Sequence, residues 1–133
     1  MSKTNYERNR VLNNRYGDGS GYVKAATVYL ALFTAMPTVS TAGTEVSGGS
    51  YARQAITNDA ANFPDPTVGI TQNGLQIDFP AASAPWGTIV GAAIMDASTA
   101  GNNQDFAPLS TPKVVGIGDV ISFPVGSLVF TET

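Results

Sequence analysis

The 133-residue sequence contains no cysteine and no histidine. The absence of cysteine excludes disulfide bonds and zinc sites with thiolate ligands. The absence of histidine excludes a nucleophile activated by a Ser-His or Cys-His pair. Charged residues are also scarce, at 13% of the chain. This scarcity argues against a helical bundle, which would be richer in Glu, Lys and Leu, and it suggests a surface partly covered by partners.

Long hydrophobic runs are missing as well. The apolar run at residues 25–36 is too short to span a bilayer. It follows Lys24, as the apolar part of a signal peptide would follow a basic residue. Its position after a long polar segment, and its mixture of β-branched and aromatic residues, favour a strand instead. We therefore expect no targeting signal and no membrane partner.

The few charges are unevenly distributed along the chain. Residues 1–24 carry five basic and two acidic residues, whereas the rest carries two basic and eight acidic residues. This asymmetry predicts a basic N-terminal arm, residues 1–24, and an acidic domain, residues 25–133. The arm is either solvated and without a role, or it docks on an acidic neighbour such as another copy of the chain. No nucleic acid is expected as a partner, because an acidic domain is repelled by phosphates.

Residues 28–34 place apolar side chains on both faces of an extended chain. One face is Val28, Leu30 and Leu32, and the other is Tyr29, Ala31 and Phe33. This pattern predicts a central strand that is buried on both faces and is ended by Pro37. A tight reversal at Gly48-Gly49 is expected to lead into a second strand near Tyr51.

A helix is predicted only at residues 4–16. Thr4 and Glu7 fit a capping box, in which each side chain accepts a hydrogen bond from a free backbone N–H group. Gly17 is suited to end the helix, and residues 17–21 are expected to form a flexible joint. The helix is short, so it is expected to form only when packed, through a face of three residues: Val11, Leu12 and Tyr16.

Short strands separated by turn residues fill the rest of the chain. They are predicted at residues 51–57, 67–71, 75–79, 86–95, 105–109, 113–117, 120–123 and 127–131. Hairpin turns are predicted at Asn73-Gly74 and Gly118-Asp119, because these residues tolerate positive φ. About eight short strands indicate an all-β fold, an antiparallel β-sandwich or jelly roll with a short N-terminal helical or extended arm.

Candidates for catalytic or metal-binding chemistry are few. Three carboxylates could in principle perform acid–base chemistry, but no spacing forces them together: Asp78, Asp96 and Asp105. Oxygen ligands for calcium occur between two predicted strands, without the EF-hand spacing: Asn58, Asp59 and Asp65. No phosphate-binding loop, dinucleotide fingerprint or nucleophile elbow is present. We expect no catalytic residues, no cofactor and no metal site.

The candidate partner-binding residues are basic or aromatic: Arg8, Arg10, Arg15, Tyr16, Tyr51, Arg53 and Trp86. Arg53 is expected either to pack its stem on Tyr51 with its head in water, or to form an ion pair at an interface. Trp86 is expected in the core or at its border, with an interface anchor as the alternative.

Several segments resemble a family of small virion structural proteins of tailed bacteriophages. The specific part is GTEVSGGSYARQA at residues 43–55, preceded by ALFTAMP at residues 31–37. Weaker matches are IDFP (77–80), WGTIV (86–90), MDA (95–97), LSTPK (109–113) and GDVISF (118–123). The resemblance covers most of residues 28–130. The first 24 residues depart from it, since they are polar and basic where an apolar helix is expected.

The resemblance implies a structural protein of the phage head or tail. A sparsely charged, glycine-rich β domain with a flexible joint and a basic arm suits a capsid decoration, or cement, protein that binds the assembled phage head without covalent bonds. Its expected partners are the major capsid protein and copies of itself, as a dimer or trimer. The alternative is a structural protein of the tail or tail fibre. The expected location is the virion, on the head surface or else on the tail. An enzyme, such as a glycan hydrolase, would need paired carboxylates in a cleft and is the least favoured alternative.

Overall fold

A computed structural model describes residues 1–17, 19 and 23–132 of the chain. These residues form one helix, α1, and ten strands, and all strand pairs are antiparallel. The elements are β1 (Ser2–Lys3), α1 (Asn5–Arg15), β2 (Thr27–Ala35), β3 (Thr44–Glu45), β4 (Gln54–Thr57), β5 (Ile70–Gln72), β6 (Ile77–Asp78), β7 (Gly87–Met95), β8 (Asn103–Val115), β9 (Ser122–Phe123) and β10 (Val129–Thr131). The predicted all-β class is confirmed.

The main sheet is built around β2. Its strand order is β1-β8-β7-β2-β3, and β4 pairs with β2 beside β3. In β2, Leu30 lies opposite Ile94 of β7 on one side and Gln54 of β4 on the other. An apolar strand with neighbours on both edges satisfies its backbone groups without water, as a central strand must.

A second layer covers one face of the main sheet. It consists of two ribbons, β5 with β10 and β6 with β9. Side chains of both layers form one core, which includes Leu30, Leu32, Ile89, Phe79 and Phe123. The fold is therefore sandwich-like, as the strand pattern predicts.

The opposite face of the main sheet holds a smaller apolar cluster of Ala31, Phe33, Ala93 and Met95. The alternation of β2 therefore places its side chains in two different cores. This confirms the prediction that the strand is buried on both faces. Pro37, which follows β2, is fully buried.

Thr4 begins the helix as predicted, and its hydroxyl accepts a hydrogen bond from the Glu7 N–H group at 3.3 Å. The second half of the capping box is not formed, because the Thr4 N–H group donates to the carbonyl of Gln104 at 3.0 Å. The predicted packing face is wrong: Leu12 is 55% and Tyr16 62% exposed.

No helix of the described residues is both long and apolar enough to cross a membrane.

The N-terminal residues are attached to the main sheet. Ser2 lies opposite Phe106 and Lys3 opposite Asp105, so β1 extends the sheet beyond β8. The charged N-terminus also donates to the carbonyl of Val129 at 2.6 Å. The division into an arm and a domain stays a prediction. In the proposed joint, residues 18, 20 and 21 lie outside the described part of the chain.

The predicted hairpin at Asn73-Gly74 is wrong, because β5 and β6 belong to different ribbons. Asn73 is only 2% exposed. Its amide group donates to the carbonyls of Leu75 and Pro124 and accepts from the Leu128 N–H group, at 2.9–3.0 Å. Asparagine is used here as a buried hydrogen-bonding centre that joins two loops, which a turn propensity does not reveal.

The strands predicted at residues 105–109 and 113–117 are one strand, β8, interrupted in its register. Ile89 pairs with Lys113 and Gly91 with Pro108, so the register shifts through a bulge at residues 109–112. The predicted Gly118-Asp119 hairpin is also wrong. The chain turns at residues 116–119, where Asp119 N–H donates to the Gly116 carbonyl, and then crosses to pair with β6.

Candidate partner-binding surface

Trp86 lies in the core and is 5% exposed. Its indole N–H group donates to the carbonyl of Gly49 at 2.9 Å, and its ring meets Tyr51 edge-on at 5.5 Å between centroids. Gly49 has a φ of 60°, and a Cβ atom there would lie 2.8 Å from both Ala84 O and Trp86 Nε1. The glycine pair therefore brings the backbone against the indole, so Trp86 has the core position expected for it.

Tyr51, Arg53 and Glu45 form a hydrogen-bonded network beside Trp86. The Arg53 guanidinium donates Nε and Nη2 to the two oxygens of Glu45, each at 2.8 Å. The Tyr51 hydroxyl donates to Glu45 at 2.7 Å and accepts from the Leu32 N–H group at 3.0 Å. This bidentate ion pair lies within the chain, unlike either arrangement expected for Arg53.

Arg53 also holds the loop between β7 and β8. Its Nη1 donates to the carbonyls of Ala97 at 2.7 Å and Ala100 at 2.8 Å. Burial alone raises the pKa of Glu45, but the hydrogen bonds from Arg53 and Tyr51 outweigh it and the pKa is lowered. Burial raises the pKa of Tyr51. The geometry assigns Tyr51, Arg53 and Trp86 to contacts inside the chain.

The four predicted residues of the N-terminal segment lie on or directly after α1. Arg10 pairs with Glu7 at 3.0 Å, stacks over Tyr6 at 5.3 Å and donates to the Val23 carbonyl at 3.3 Å. Arg15 lies over the ring of Tyr16 at 5.3 Å from its centroid. Arg15 and Tyr16 are exposed, and Arg8 is exposed as well. Their role in partner binding stays a prediction.

A groove of about 580 Å³ separates α1 from the C-terminal strand β10. Its floor is formed by β1, and Lys3 pairs there with Glu132. The groove continues toward Pro66, Gly69 and Phe130. Its rim combines apolar and cationic side chains from α1: Arg8, Val11, Leu12 and Arg15.

Asp105 lies under this groove. Burial, together with the nearby carboxylate of Glu7, raises its pKa to about 6, although the N-terminus and Lys3 act in the opposite direction. The other two candidate carboxylates belong to different elements. Asp78 is on β6, beside Gln76 at 2.8 Å, and Asp96 follows β7, where it accepts from Asn102 N–H at 2.7 Å. No acid–base pair results from these three positions.

The residues considered for calcium are engaged in local hydrogen bonds. Asn58 donates to the Ala25 carbonyl at 2.9 Å, and Asp59 accepts from the backbone and side chain of Asn62, each at 3.0 Å. Asp65 is exposed. Among residues 1–17, 19 and 23–132, no group of three or more Asp or Glu side chains is arranged to hold a metal ion.

Residues 2–131 match a protein-family model described as Podophage GP4 fiber I protein gp80. The chain belongs to this family. It is therefore a bacteriophage virion structural protein, as the resemblance of residues 28–130 implies. Comparison with curated proteins gave no match.

Sequence reasoning missed the partners of the residues that it selected. Glu45 completes the Arg53 network and stands in the most specific part of the resemblance, residues 43–55, which is the signal that could have identified it. Asp105 and Glu7 are 98 positions apart in the chain, so no local pattern relates them. Their proximity follows from the pairing of β1 with β8.

Proposed function

We propose that this protein is a structural component of the phage tail fibre, where it binds neighbouring virion proteins and copies of itself. The observation that carries the proposal is the match of residues 2–131 to a fibre protein family. This match favours the tail alternative over decoration of the head. The protein acts by binding, without turnover of a substrate.

The fold supports a role in assembly. The two layers pack on each other, and the hydrogen bonds of Arg53 are made within the chain. The surfaces of the protein are therefore held in fixed relative positions. Basic side chains of α1 remain exposed on that body, on a chain with a net charge of −3. Such a separation of charge favours one docking orientation over others.

Copy number in purified virions tests the tail assignment. Quantitative mass spectrometry should find few copies per particle relative to the major capsid protein. Antibody labelling in electron micrographs should mark fibres at the tail. Stoichiometry near that of the capsid subunit, with label spread over the head, would instead support the decoration reading.

Substitution in α1 tests whether this helix contributes to assembly. Deletion of residues 1–24 is not suitable, because it removes β1 and exposes an edge of β8. The double change Arg8→Glu and Arg15→Glu retains the fold while reversing the exposed charge. We expect weaker incorporation into particles, whereas Lys113→Glu, an exposed basic residue on β8, serves as the matched control.

A further inference from the structure

The hairpin at residues 67–70 contains a residue that is unfavourable in its position. Thr67 and Ile70 exchange both backbone hydrogen bonds, at 2.9 and 3.0 Å, so Val68 and Gly69 form a two-residue turn. Their φ angles are 53° and 72°. Positive φ at both positions is the requirement of a type I′ turn, which favours Asn-Gly. A β-branched residue rarely adopts such a φ, so Val68 strains the backbone.

Contacts within the chain do not compensate for this strain. The side chain of Val68 is 92% exposed, the highest value among the large apolar residues described. The turn itself is held firmly, because the Glu132 N–H group donates to the Gly69 carbonyl at 2.7 Å. A strained residue that points an apolar side chain into water indicates that its favourable contact lies outside the chain.

The surroundings of the hairpin indicate which partner it meets. Asp65 is exposed three positions before Val68, and residues 54–112 contain no basic residue. The tip of the hairpin, which is Val68 together with Asp65, is therefore apolar and acidic. The groove along α1 is apolar and basic at its rim, where Arg8 and Arg15 flank Leu12. Each copy of the chain thus carries two surfaces that complement each other in charge and polarity.

The two surfaces are also neighbours. Pro66 and Gly69 of the hairpin line the part of the groove that continues from its basic rim. Because the tip and the rim lie side by side, a two-fold axis between two copies allows each tip to enter the other copy's groove. Both contacts then form at once, as in an isologous dimer.

We propose that Val68 is the anchor of a two-fold contact between copies of this chain, in which its side chain packs against Leu12 of the partner copy. Asp65 faces the partner's Arg8 and Arg15 across the same contact. Dimerisation of the purified chain does not depend on where the protein lies in the virion, so a monomeric chain would leave the tail assignment unaffected.

The test compares the full-length wild type with Val68→Asn by sedimentation and thermal unfolding. Asn suits the turn, so we expect the midpoint of unfolding of the dissociated chain to rise by a few degrees. We expect dimerisation to weaken at least tenfold. Val125→Asn is the matched control, because Val125 is an exposed turn residue outside the positive-φ region, and it should change neither quantity.

A charge exchange identifies the surface that receives the tip. Asp65→Arg and Arg8→Glu should each weaken dimerisation, and the two changes in one chain should restore part of it. A monomeric wild type, or a Val68→Asn variant that still dimerises like the wild type, would overturn the proposal. Loss of binding to a different virion protein, with dimerisation unchanged, would also overturn it. At concentrations where both proteins are dissociated, a lower unfolding midpoint for Val68→Asn would refute the strain on which the proposal rests.

Discussion

Two charged clusters of this protein are partly buried, and they are balanced differently. In the cluster around Arg53, both oxygens of Glu45 accept hydrogen bonds from the guanidinium, and the pKa of Glu45 is lowered. In the cluster under α1, Asp105 lies close to a second carboxylate, Glu7, and its pKa is raised to about 6 by burial first and then by Glu7.

The difference shows that burial alone does not decide what a charge contributes to stability. A buried carboxylate is stabilising when a partner replaces the water that it loses, as Arg53 does for Glu45. It is destabilising when no partner replaces that water, as for Asp105, and the like charge of Glu7 adds to the cost. The first cluster is therefore a clamp, in the sense that Arg53 joins Glu45 to the loop between β7 and β8. The second cluster is a site where protonation of Asp105 favours the folded state.

Arg53→Met breaks the balanced cluster and should have the largest effect. It leaves the Glu45 carboxylate without its bidentate partner and frees the carbonyls of Ala97 and Ala100. We expect the free energy of unfolding to fall by about 2–3 kcal/mol, since Glu45 retains some access to water. Urea unfolding measures the change, with Lys113→Met as control. Equal stability of the two variants would contradict the clamp.

Asp105 sets a pH dependence in the second cluster. Its pKa is about 6 in the folded protein and near 4 in the unfolded chain, so the folded state binds the proton more tightly. The free energy of unfolding should therefore fall by about 2 kcal/mol as pH rises from about 4 to about 6. In Asp105→Asn this contribution is absent. Urea unfolding of both proteins over this range should give diverging profiles; parallel profiles would refute the assignment.

Tyr51→Phe tests the neutral member of the balanced cluster. The change removes the hydroxyl that accepts from Leu32 N–H and donates to Glu45, while keeping the ring against Trp86. A buried N–H group without an acceptor costs about 1–2 kcal/mol. Tyr29→Phe, on the same central strand, is the control. A loss of stability no greater than that of the control would show that water replaces the hydroxyl.

Lys3→Met is the counterpart of Arg53→Met in the second cluster and should have the smallest effect. The ion pair of Lys3 with Glu132 is formed by a carboxylate that is largely exposed. Such pairs contribute less than about 1 kcal/mol, and salt weakens them. Thermal unfolding at low and high salt should show a small difference that disappears at high salt. A loss as large as that of Arg53→Met would remove the contrast between the clusters.

Local patterns predicted the parts of the fold that depend on neighbouring residues. The alternation of β2 and the Thr4 cap are confirmed, because side-chain periodicity and capping act over a few positions. Turn propensities failed at Asn73, whose side chain donates to the distant Pro124 carbonyl, and at Asp119, whose carbonyl accepts from the distant Ala82 N–H group. The turn at Val68-Gly69 was missed because valine is a poor turn residue.

The sequence by itself determined an all-β chain without cysteine or histidine chemistry, a central strand with two apolar faces, and a virion family. Only the tertiary structure decided which strands pair, that Arg53 forms an ion pair with Glu45, and that Asp105 lies beside Glu7. The physical reason is distance along the chain. Periodicity and propensity report what each segment favours alone, whereas charge balance and exposure depend on segments that meet only after folding.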